Sequence, residues 1–228
     1  MQKTTVKANG QNFVIYLRDE ADSSVAAEIF KIKEYRFADE VIRSAGDAIL
    51  DIGAHTGMFS IYARSLNPHV RIVAMEPEPH NLELFKKHLL ENKISGVEVL
   101  GAALAGRAGE YHLQLSPDSH AHRLSEQQAK QGSLVVTTLT LADLLERYNL
   151  DKVALLKLDI EGAEYEVLLS TESETFAKIG AVAMEYHEQH GSRLTLEKVL
   201  RENGFGVQVF PSRFDKTMGF IFATNKRF

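Results

Sequence analysis

The sequence has 228 residues, a formal net charge of -5 and no cysteine. This length allows one large α/β domain or two small ones. The lack of cysteine excludes disulfides, thiolate catalysis and cysteine-ligated metals, and the negative charge argues against broad binding to a nucleic-acid backbone. No apolar run reaches membrane-spanning length, and the first residues contain no apolar signal-peptide core. We therefore expect a cytoplasmic protein that binds neither nucleic acid nor membrane.

Strand and helix patterns alternate along most of the chain. In chain order the sequence predicts a strand over 13–17, a helix over 25–42, a strand over 48–52, a helix over 57–65, a strand over 70–75, a helix over 80–92, strands over 97–104 and 110–115, a threonine-capped helix starting within 138–145, a strand over 153–158, a helix over 162–169, a strand over 181–186, a helix over 193–203, and strands over 207–210 and 220–223. The alternation predicts a mostly parallel sheet covered on both faces. The last two strands have no helix between them, which predicts an antiparallel hairpin at one edge.

The stretch LDIGAHTGMFS at 50–60 runs from a buried strand into a helix. Gly53 and Gly57 would allow a ligand to approach backbone amides, although a tight turn without a ligand needs the same residues. Glu76 ends the next apolar run, where a carboxylate can accept hydrogen bonds from ribose hydroxyls. The middle glycine of a dinucleotide fingerprint is absent, since His55 stands between the two glycines. This disfavours a nicotinamide-dependent oxidoreductase, which would use the same turn.

Acidic residues fall at or near the carboxyl ends of four predicted strands. They are Asp51, Glu76, Asp159 and Glu185. Ligands of open α/β sheets bind beyond these strand ends. A rim of carboxylates suits a cationic or hydroxyl-rich ligand and suits a pyrophosphate badly, because like charges repel.

The segment KLDIEG at 157–162 and the histidine after the next strand can carry chemistry. Lys157 and Asp159 are two residues apart and share a strand face, as a purely structural ion pair would also do. Glu161 opens a helix, where capping alone would favour an acid. His187 can accept a proton near neutral pH, although a solvent-exposed loop histidine is an equal interpretation. No histidine spacing is typical of zinc, and we expect no bound metal.

Together these segments resemble the FkbM family of S-adenosylmethionine-dependent methyltransferases. The matching pieces are DIGAHTGMFS at 51–60, Glu76-Pro77 with Asn81, AAL at 102–104, KLDIEGAE at 157–164 and EYH at 185–187. The resemblance implies an α/β fold of the Rossmann-like class I methyltransferase type, with a seven-stranded, mostly parallel sheet and a C-terminal antiparallel hairpin. It also implies S-adenosylmethionine as the cofactor, bound along the ends of the first three strands of that sheet.

The resemblance also implies which residues bind the methyl donor. It assigns the methionine portion to Asp51, Gly53 and Gly57, the ribose to Glu76, and the adenine to Ala102 and Ala103. His55 stands where the family more often has asparagine, and we expect it to contact the cofactor too.

For the reaction, the resemblance favours O-methylation of a hydroxyl on a small molecule, either a sugar or a polyketide-like alcohol, with N-methylation as the alternative. His187 is our first choice for the general base and Asp159 the second. We expect acceptor contacts from Tyr35, His120, His122, Lys157 and Glu161. We expect one domain, with 1–45 as an acceptor-side cap, 46–228 as the catalytic core and 116–132 as a lid. A homo-oligomer is compatible with the sequence.

Overall fold

The N-terminal part combines a β-hairpin with a broken helical segment. A computed structural model describes residues 1–114, 123–125, 133–212 and 215–228. The elements before the main sheet are β1 (Gln2–Ala8), β2 (Gln11–Leu17), α1 (Glu20–Ala27), a π-helical turn (Glu28–Ile32), a 3₁₀ turn (Glu34–Ala38) and α2 (Asp39–Ser44). The predicted continuous helix over 25–42 is wrong. Lys33 has a left-handed backbone with a φ of 58°, which a right-handed helix cannot contain.

The rest of the chain alternates strands and helices, with an all-strand section in the middle. In chain order the elements are β3 (Ala48–Ile52), α3 (Met58–Leu66), β4 (Ile72–Met75), α4 (Pro79–Glu91), β5 (Val97–Leu100), β6 (Ala103–Leu104), β7 (Gly109–Gln114), β8 (Arg123–Ser125), β9 (Ser133–Leu139), α5 (Leu141–Arg147), β10 (Val153–Leu158), α6 (Glu164–Ser170), α7 (Ser173–Phe176), β11 (Ala181–His187), α8 (Arg193–Glu202), β12 (Phe205–Pro211) and β13 (Met218–Asn225).

Seven strands form the main sheet in the order β12-β13-β11-β10-β3-β4-β5. The five strands from β11 to β5 are parallel to one another, whereas β13 runs antiparallel to both β11 and β12. The predicted seven-stranded, mostly parallel sheet with an antiparallel hairpin is therefore confirmed. The parallel strands end at a common edge, which is where the acidic residues of the sequence analysis lie.

A second sheet of four short strands, ordered β6-β9-β7-β8, was not predicted. The strand predicted over 97–104 is in fact two strands that belong to different sheets. The segment that ends at Leu139 is a strand, so the predicted helix starts later than its first threonine. Thr140 caps α5, because its Oγ1 accepts a hydrogen bond from the Asp143 backbone N–H at 3.1 Å.

Two apolar cores cover the two faces of the main sheet. Successive residues of a strand point to opposite faces, so Leu50 and Ile52 pack toward α5, α6 and α8 while Ile49 packs toward α3. Phe13 and Ile15 of β2 belong to the second core. The N-terminal part is thereby packed against the sheet, and its residues reach the carboxyl ends of β3 and β10.

Candidate active site

A cleft of about 1050 Å³, partly open to solvent, lies at the carboxyl ends of the parallel strands. Gly53 follows β3, Glu76 follows β4, Asp159 follows β10 and Glu185 lies near the end of β11, and all four line the cleft. The structure thus brings together residues that are far apart in the sequence. The wall opposite the strand ends comes from the N-terminal part and includes Tyr35.

The two glycines of the 50–60 stretch are required by the packing of the chain on itself. Gly53 has a φ of 73°, and a Cβ there would lie 1.7 Å from the carbonyl oxygen of Asp159. Gly57 has a φ of 81°, and a Cβ there would lie 2.0 Å from the ring of Phe85. Gly53 lines the cleft, whereas Gly57 lies behind its wall. The tight-turn interpretation therefore accounts for both glycines.

Glu76 is buried, and its carboxylate is held by hydrogen bonds from the chain. Its Oε2 accepts from the His55 backbone N–H at 2.8 Å, and its Oε1 accepts from the Glu78 backbone N–H at 3.0 Å and from Asn81 Nδ2 at 3.2 Å. Burial raises the pKa of Glu76 to about 7 although these hydrogen bonds favour the ionised form. Glu76 lines the cleft, as do His55, Ala102 and Ala103.

Lys157 is a buried cation at the carboxyl end of β10 and lines the cleft. It stands opposite Asp51 in the register of β10 and β3. Its Nζ donates to the carbonyl oxygen of Gly53 at 2.8 Å and lies 3.4 Å from Asp51 Oδ1 and 3.6 Å from Asp159 Oδ2. Burial lowers the pKa of Lys157, but the two carboxylates outweigh burial and the net shift is upward.

Asp51 is fully buried and does not line the cleft. Its Oδ2 accepts a hydrogen bond from Ser60 Oγ at 2.6 Å, and its other oxygen faces Lys157. Asp51 therefore lies behind the residues that line the cleft and contacts Lys157, which is one of them.

A group of acids lines the cleft around Asp159. The Asp159 carboxylate is 29% exposed and accepts a long hydrogen bond, 3.4 Å, from the buried Tyr35 hydroxyl. Burial raises the pKa of Glu34 to about 7, and neighbouring carboxylates add to the shift. Burial also raises the pKa of Glu185 far above its usual range, with Asp159 as the next cause. At neutral pH Glu185 is therefore protonated, and Glu34 is close to half-protonated.

His187 lies beside the loop between β10 and α6. Its Nε2 is 3.8 Å from Glu161 Oε2, and its Nδ1 is 3.5 Å from Glu164 Oε1. Burial lowers the pKa of His187, but the surrounding carboxylates, chiefly Glu164, outweigh burial and raise it to about 9. His187 is therefore protonated at neutral pH, and it does not line the cleft, whereas Glu161 does.

Glu164 fixes the shape of that loop. It is fully buried, and its two oxygens accept hydrogen bonds from the backbone N–H groups of Ile160 at 2.9 Å and Gly162 at 2.8 Å. These bonds hold Glu161 in a left-handed conformation, with a φ of 55°. The loop can keep this uncommon conformation because the carboxylate satisfies both neighbouring donors.

The predicted site residues fall into three groups. Those that line the cleft are Tyr35, Gly53, His55, Glu76, Ala102, Ala103, Lys157, Asp159 and Glu161. Asp51, Gly57 and His187 lie outside that lining. His120, His122 and most of the predicted lid over 116–132 lie outside the described residues; Leu124 of β8 lines the cleft.

Arg18 and Asp22, which were not predicted as site residues, contact residues of the cleft wall. Asp22 is fully buried, with its Oδ1 3.6 Å from His55 Nε2. Arg18 donates to Asn81 Oδ1 at 2.7 Å. Nothing in the local pattern marks this pair, because a loop arginine and a first-turn aspartate are common on exposed helices.

Among the described residues, no group of three or more histidine, aspartate and glutamate side chains is arranged to hold a metal ion. In the same part of the chain, no helix has the length and apolar character needed to cross a membrane.

The sheet order and the antiparallel β13 are those of the class I S-adenosylmethionine-dependent methyltransferase fold, and the acid-lined cleft lies beyond the parallel strands. More narrowly, the chain belongs to the FkbM methyltransferase family, because the family model described as "Methyltransferase FkbM domain" matches residues 51–207. These results confirm the predicted family, fold class, enzyme class and cofactor. The nicotinamide-dependent alternative is set aside.

Individual relatives agree with this assignment. The chain is 30% identical to Methyltransferase sdnD of Sordaria araneosa over 190 residues, covering 70% of this chain and 73% of that protein. It is 24% identical to 31-O-demethyl-FK506 methyltransferase FkbM of Streptomyces tacrolimicus over 192 residues, covering 71% and 74%. A crystal structure of a SAM dependent methyltransferase from Aquifex aeolicus shares the fold, with a TM-score of 0.50 at 12% identity and coverage of 91% and 98%.

Proposed function

We propose that the protein transfers a methyl group from S-adenosylmethionine to a hydroxyl of a small molecule, either a sugar or a natural-product alcohol. The observation that carries this proposal is the Asp159 carboxylate, which faces the cleft from the end of β10, beside the glycine turn of β3. It is a partly exposed acid at the end of a central strand and lies between Tyr35 and Lys157. An oxygen acceptor also agrees with the name of the Streptomyces relative, a 31-O-demethyl-FK506 methyltransferase.

The cleft residues fit the donor chemically. A carboxylate such as Glu76 suits two ribose hydroxyls, and the small side chains of Ala102 and Ala103 leave room for a flat adenine. We assign the methionine end to Gly53 and His55. Asp51 and Gly57 act from behind the wall: Asp51 holds Lys157, and Gly57 allows the ring of Phe85 to pack closely.

Asp159 is the base that we assign to the reaction. When bound, the donor supplies an electrophilic methyl group that the acceptor oxygen attacks in line with the departing sulfur. Asp159 faces the cleft and can take the hydroxyl proton. His187 is less suited to this role, because its raised pKa leaves it protonated at neutral pH and because it lies outside the cleft. We assign His187 to positioning of the loop that carries Glu161.

The charge of the cleft supports an oxygen acceptor over an amine. The described lining residues with ionisable carboxyl groups are Glu28, Glu34, Glu76, Asp159, Glu161 and Glu185, and those with basic groups are His55 and Lys157. Ionised carboxylates stabilise the ammonium form of an amine, which has no lone pair to attack a methyl group. The same acids repel an anionic acceptor, so a neutral polyhydroxyl molecule fits best. Glu185, when protonated, can donate a hydrogen bond to one of its oxygens.

The N-terminal part completes this side of the site. We propose that residues 1–45 form the acceptor-side cap of a single methyltransferase domain. Tyr35 and Glu34 line the cleft from this part, and the Tyr35 hydroxyl contacts Asp159. Tyr35 also packs on Phe59 and Phe220, with ring centroids 5.1 Å and 5.3 Å away, so its position is set by the core as well as by the site.

The test is an acceptor panel with quantification of S-adenosylhomocysteine and of the methylated product. The panel contains neutral glycosides, the corresponding uronic acids and the corresponding amino sugars. We expect O-methylated product from neutral acceptors and little from uronic acids. Asp159→Asn should lower kcat by roughly 10²-fold or more, the usual scale for a general base. Asp151→Asn, at an exposed position away from the cleft, is the matched control. N-methylated product from the amino sugars alone would refute the proposal, and full turnover by Asp159→Asn would refute its role.

A further inference from the structure

Arg18 and Asp22 form an ion pair outside the segment that the family model matches, with the Arg18 side chain 24% exposed. The Asp22 carboxylate is fully buried and receives hydrogen bonds from the Arg18 backbone N–H at 2.7 Å, from Nε at 2.9 Å and from Nη2 at 2.8 Å. Asp19 caps α1 by accepting from the Asp22 backbone N–H at 2.9 Å. Burial raises the pKa of Asp22, but Arg18 outweighs burial and holds the pKa below its usual value. The pair is therefore charged and fixed in place.

From this pair, one chain of contacts leads to Glu76 through Asn81. Arg18 Nη2 donates to Asn81 Oδ1 at 2.7 Å, and Asn81 Nδ2 donates to Glu76 Oε1 at 3.2 Å. An amide can turn its oxygen or its nitrogen toward a neighbour. The cationic Arg18 selects the oxygen, because the amide nitrogen would present two further donors to a guanidinium. The amide donor of Asn81 is thereby directed at the Glu76 carboxylate.

A second chain of contacts reaches Glu76 through His55. The His55 backbone N–H donates to Glu76 Oε2 at 2.8 Å, from a left-handed residue with a φ of 49°. The side chain of the same histidine lies 3.6 Å from Asp22. Two of the groups that hold the two oxygens of Glu76 thus belong to residues that contact the Arg18–Asp22 pair.

We propose that the Arg18–Asp22 pair is a positioning pair for the donor site, which orients the carboxylate of Glu76 for the ribose hydroxyls. The proposal rests on the ribose role of Glu76 proposed above. It makes the N-terminal part a component of donor binding as well as a cover over the acceptor. A segment consisting only of the family-matched residues 51–207 would then contain Glu76 without the pair that orients it.

The proposal has a signature in the pH dependence of donor affinity. The charged and titratable groups around Glu76 are Glu78 on its own loop, His55 after β3, Lys157 on β10, Asp22 on α1 and, across Asn81, Arg18. Ionised Glu76 accepts hydrogen bonds from hydroxyls more strongly than the protonated form does. Affinity should therefore fall as the pH drops through about 7, where Glu76 takes up its proton. Loss of the oriented Asn81 donor should move this fall to higher pH.

The experiment measures S-adenosylhomocysteine affinity of the full chain by calorimetry from pH 5.5 to pH 8.5. Arg18→Met keeps the apolar stem of the side chain and removes its donors. We expect it to weaken binding about tenfold at pH 7, the scale of one charge-assisted hydrogen bond, and to raise the pH midpoint. In a Glu76→Gln background the same substitution should have little further effect, since it acts through Glu76. Lys3→Met, in β1, removes an exposed ion pair to Glu91 of α4 and should leave affinity unchanged.

Each result has one interpretation. Equal losses from Arg18→Met in both backgrounds, or an unchanged affinity and pH midpoint, would overturn the positioning role. A purely structural pair would lower the melting temperature and leave the pH midpoint of the folded protein where it is. If Arg18→Met does not fold, Asp22→Asn, which preserves side-chain shape, must produce the shift in midpoint, and its absence rejects the proposal. Wild-type affinity in Glu76→Gln alone would instead refute the ribose role of Glu76.

Discussion

Replacement of Lys157 by methionine should be among the most destabilising single changes in this protein. The side chain is 4% exposed, and its Nζ contacts the carbonyl oxygens of Ile52 and Gly53 as well as two carboxylates. Methionine preserves the length but leaves the fully buried Asp51 without a counter-charge. Removal of one partner of a buried ion pair costs about 3–5 kcal/mol, a large share of the roughly 5–15 kcal/mol that stabilises a typical domain.

Urea unfolding at pH 7, followed by circular dichroism, measures this loss. Lys178→Met, at an exposed position, should stay within about 0.5 kcal/mol of wild type. Addition of Asp51→Asn to Lys157→Met should recover part of the stability, because it removes the unpaired charge. The reasoning is refuted if Lys157→Met costs less than about 1 kcal/mol, or if Asp51→Asn deepens the loss.

Three further substitutions test the loops of the site. Gly53→Ala should lower the free energy of unfolding in urea by at least about 2 kcal/mol more than Gly10→Ala. Both glycines have a positive φ, but an added Cβ at Gly10 would meet open space. Equal losses of stability would contradict the clash between the added Cβ at Gly53 and the Asp159 carbonyl. His187, whose pKa rises from 6.5 to about 9 on folding, contributes stability that is fully present below pH 6.5 and lost as the pH rises through 9. His187→Gln should therefore lower the free energy of unfolding by up to about 3 kcal/mol more at pH 6 than at pH 10, and equal losses at the two pH values would contradict this linkage. Glu164→Gln replaces one of the two carboxylate oxygens that accept hydrogen bonds by an amide donor, so we expect about 1–3 kcal/mol of lost stability. We also expect a raised KM for the methyl acceptor. An unchanged KM would show that this loop does not contribute to binding of the methyl acceptor.

The parts of the fold that the sequence predicts are those with local signals. β3, β10 and β11 are mostly apolar, and each was predicted to within a residue of its bounds. β1 and β9 were not predicted, because their local sequence does not indicate a strand. Their strand conformation depends on pairing with β2 and β7. No glycine or proline in residues 25–42 indicates the break in the predicted helix at Lys33. It follows from how the N-terminal part packs on the sheet.

The site shows the same division. Strand-end residues such as Glu76 and Asp159 line the cleft as predicted, because the edge of a parallel sheet brings them together whatever the loops do. The sequence could not show how deeply each acidic side chain is buried. Asp51 and Asp159 look alike as strand-end acids, yet one is fully buried and the other is partly exposed in the cleft. Nor could it supply long-range contacts such as that between Arg18 and Asn81, which joins residues from separate elements.

The place of β13 in the main sheet has a consequence for synthesis of the chain. This strand lies between β11 and β12, although it follows both in the sequence. Until residues 218–225 leave the ribosome, β11 keeps an unpaired edge, with apolar side chains such as Val182 and Met184 close to it. Unpaired strand edges recruit other chains. Pairing of β13 therefore completes the sheet. Slow emergence of residues 218–225 from the ribosome, or a frameshift before position 218, leaves the edge of β11 unpaired and exposes nascent chains to aggregation.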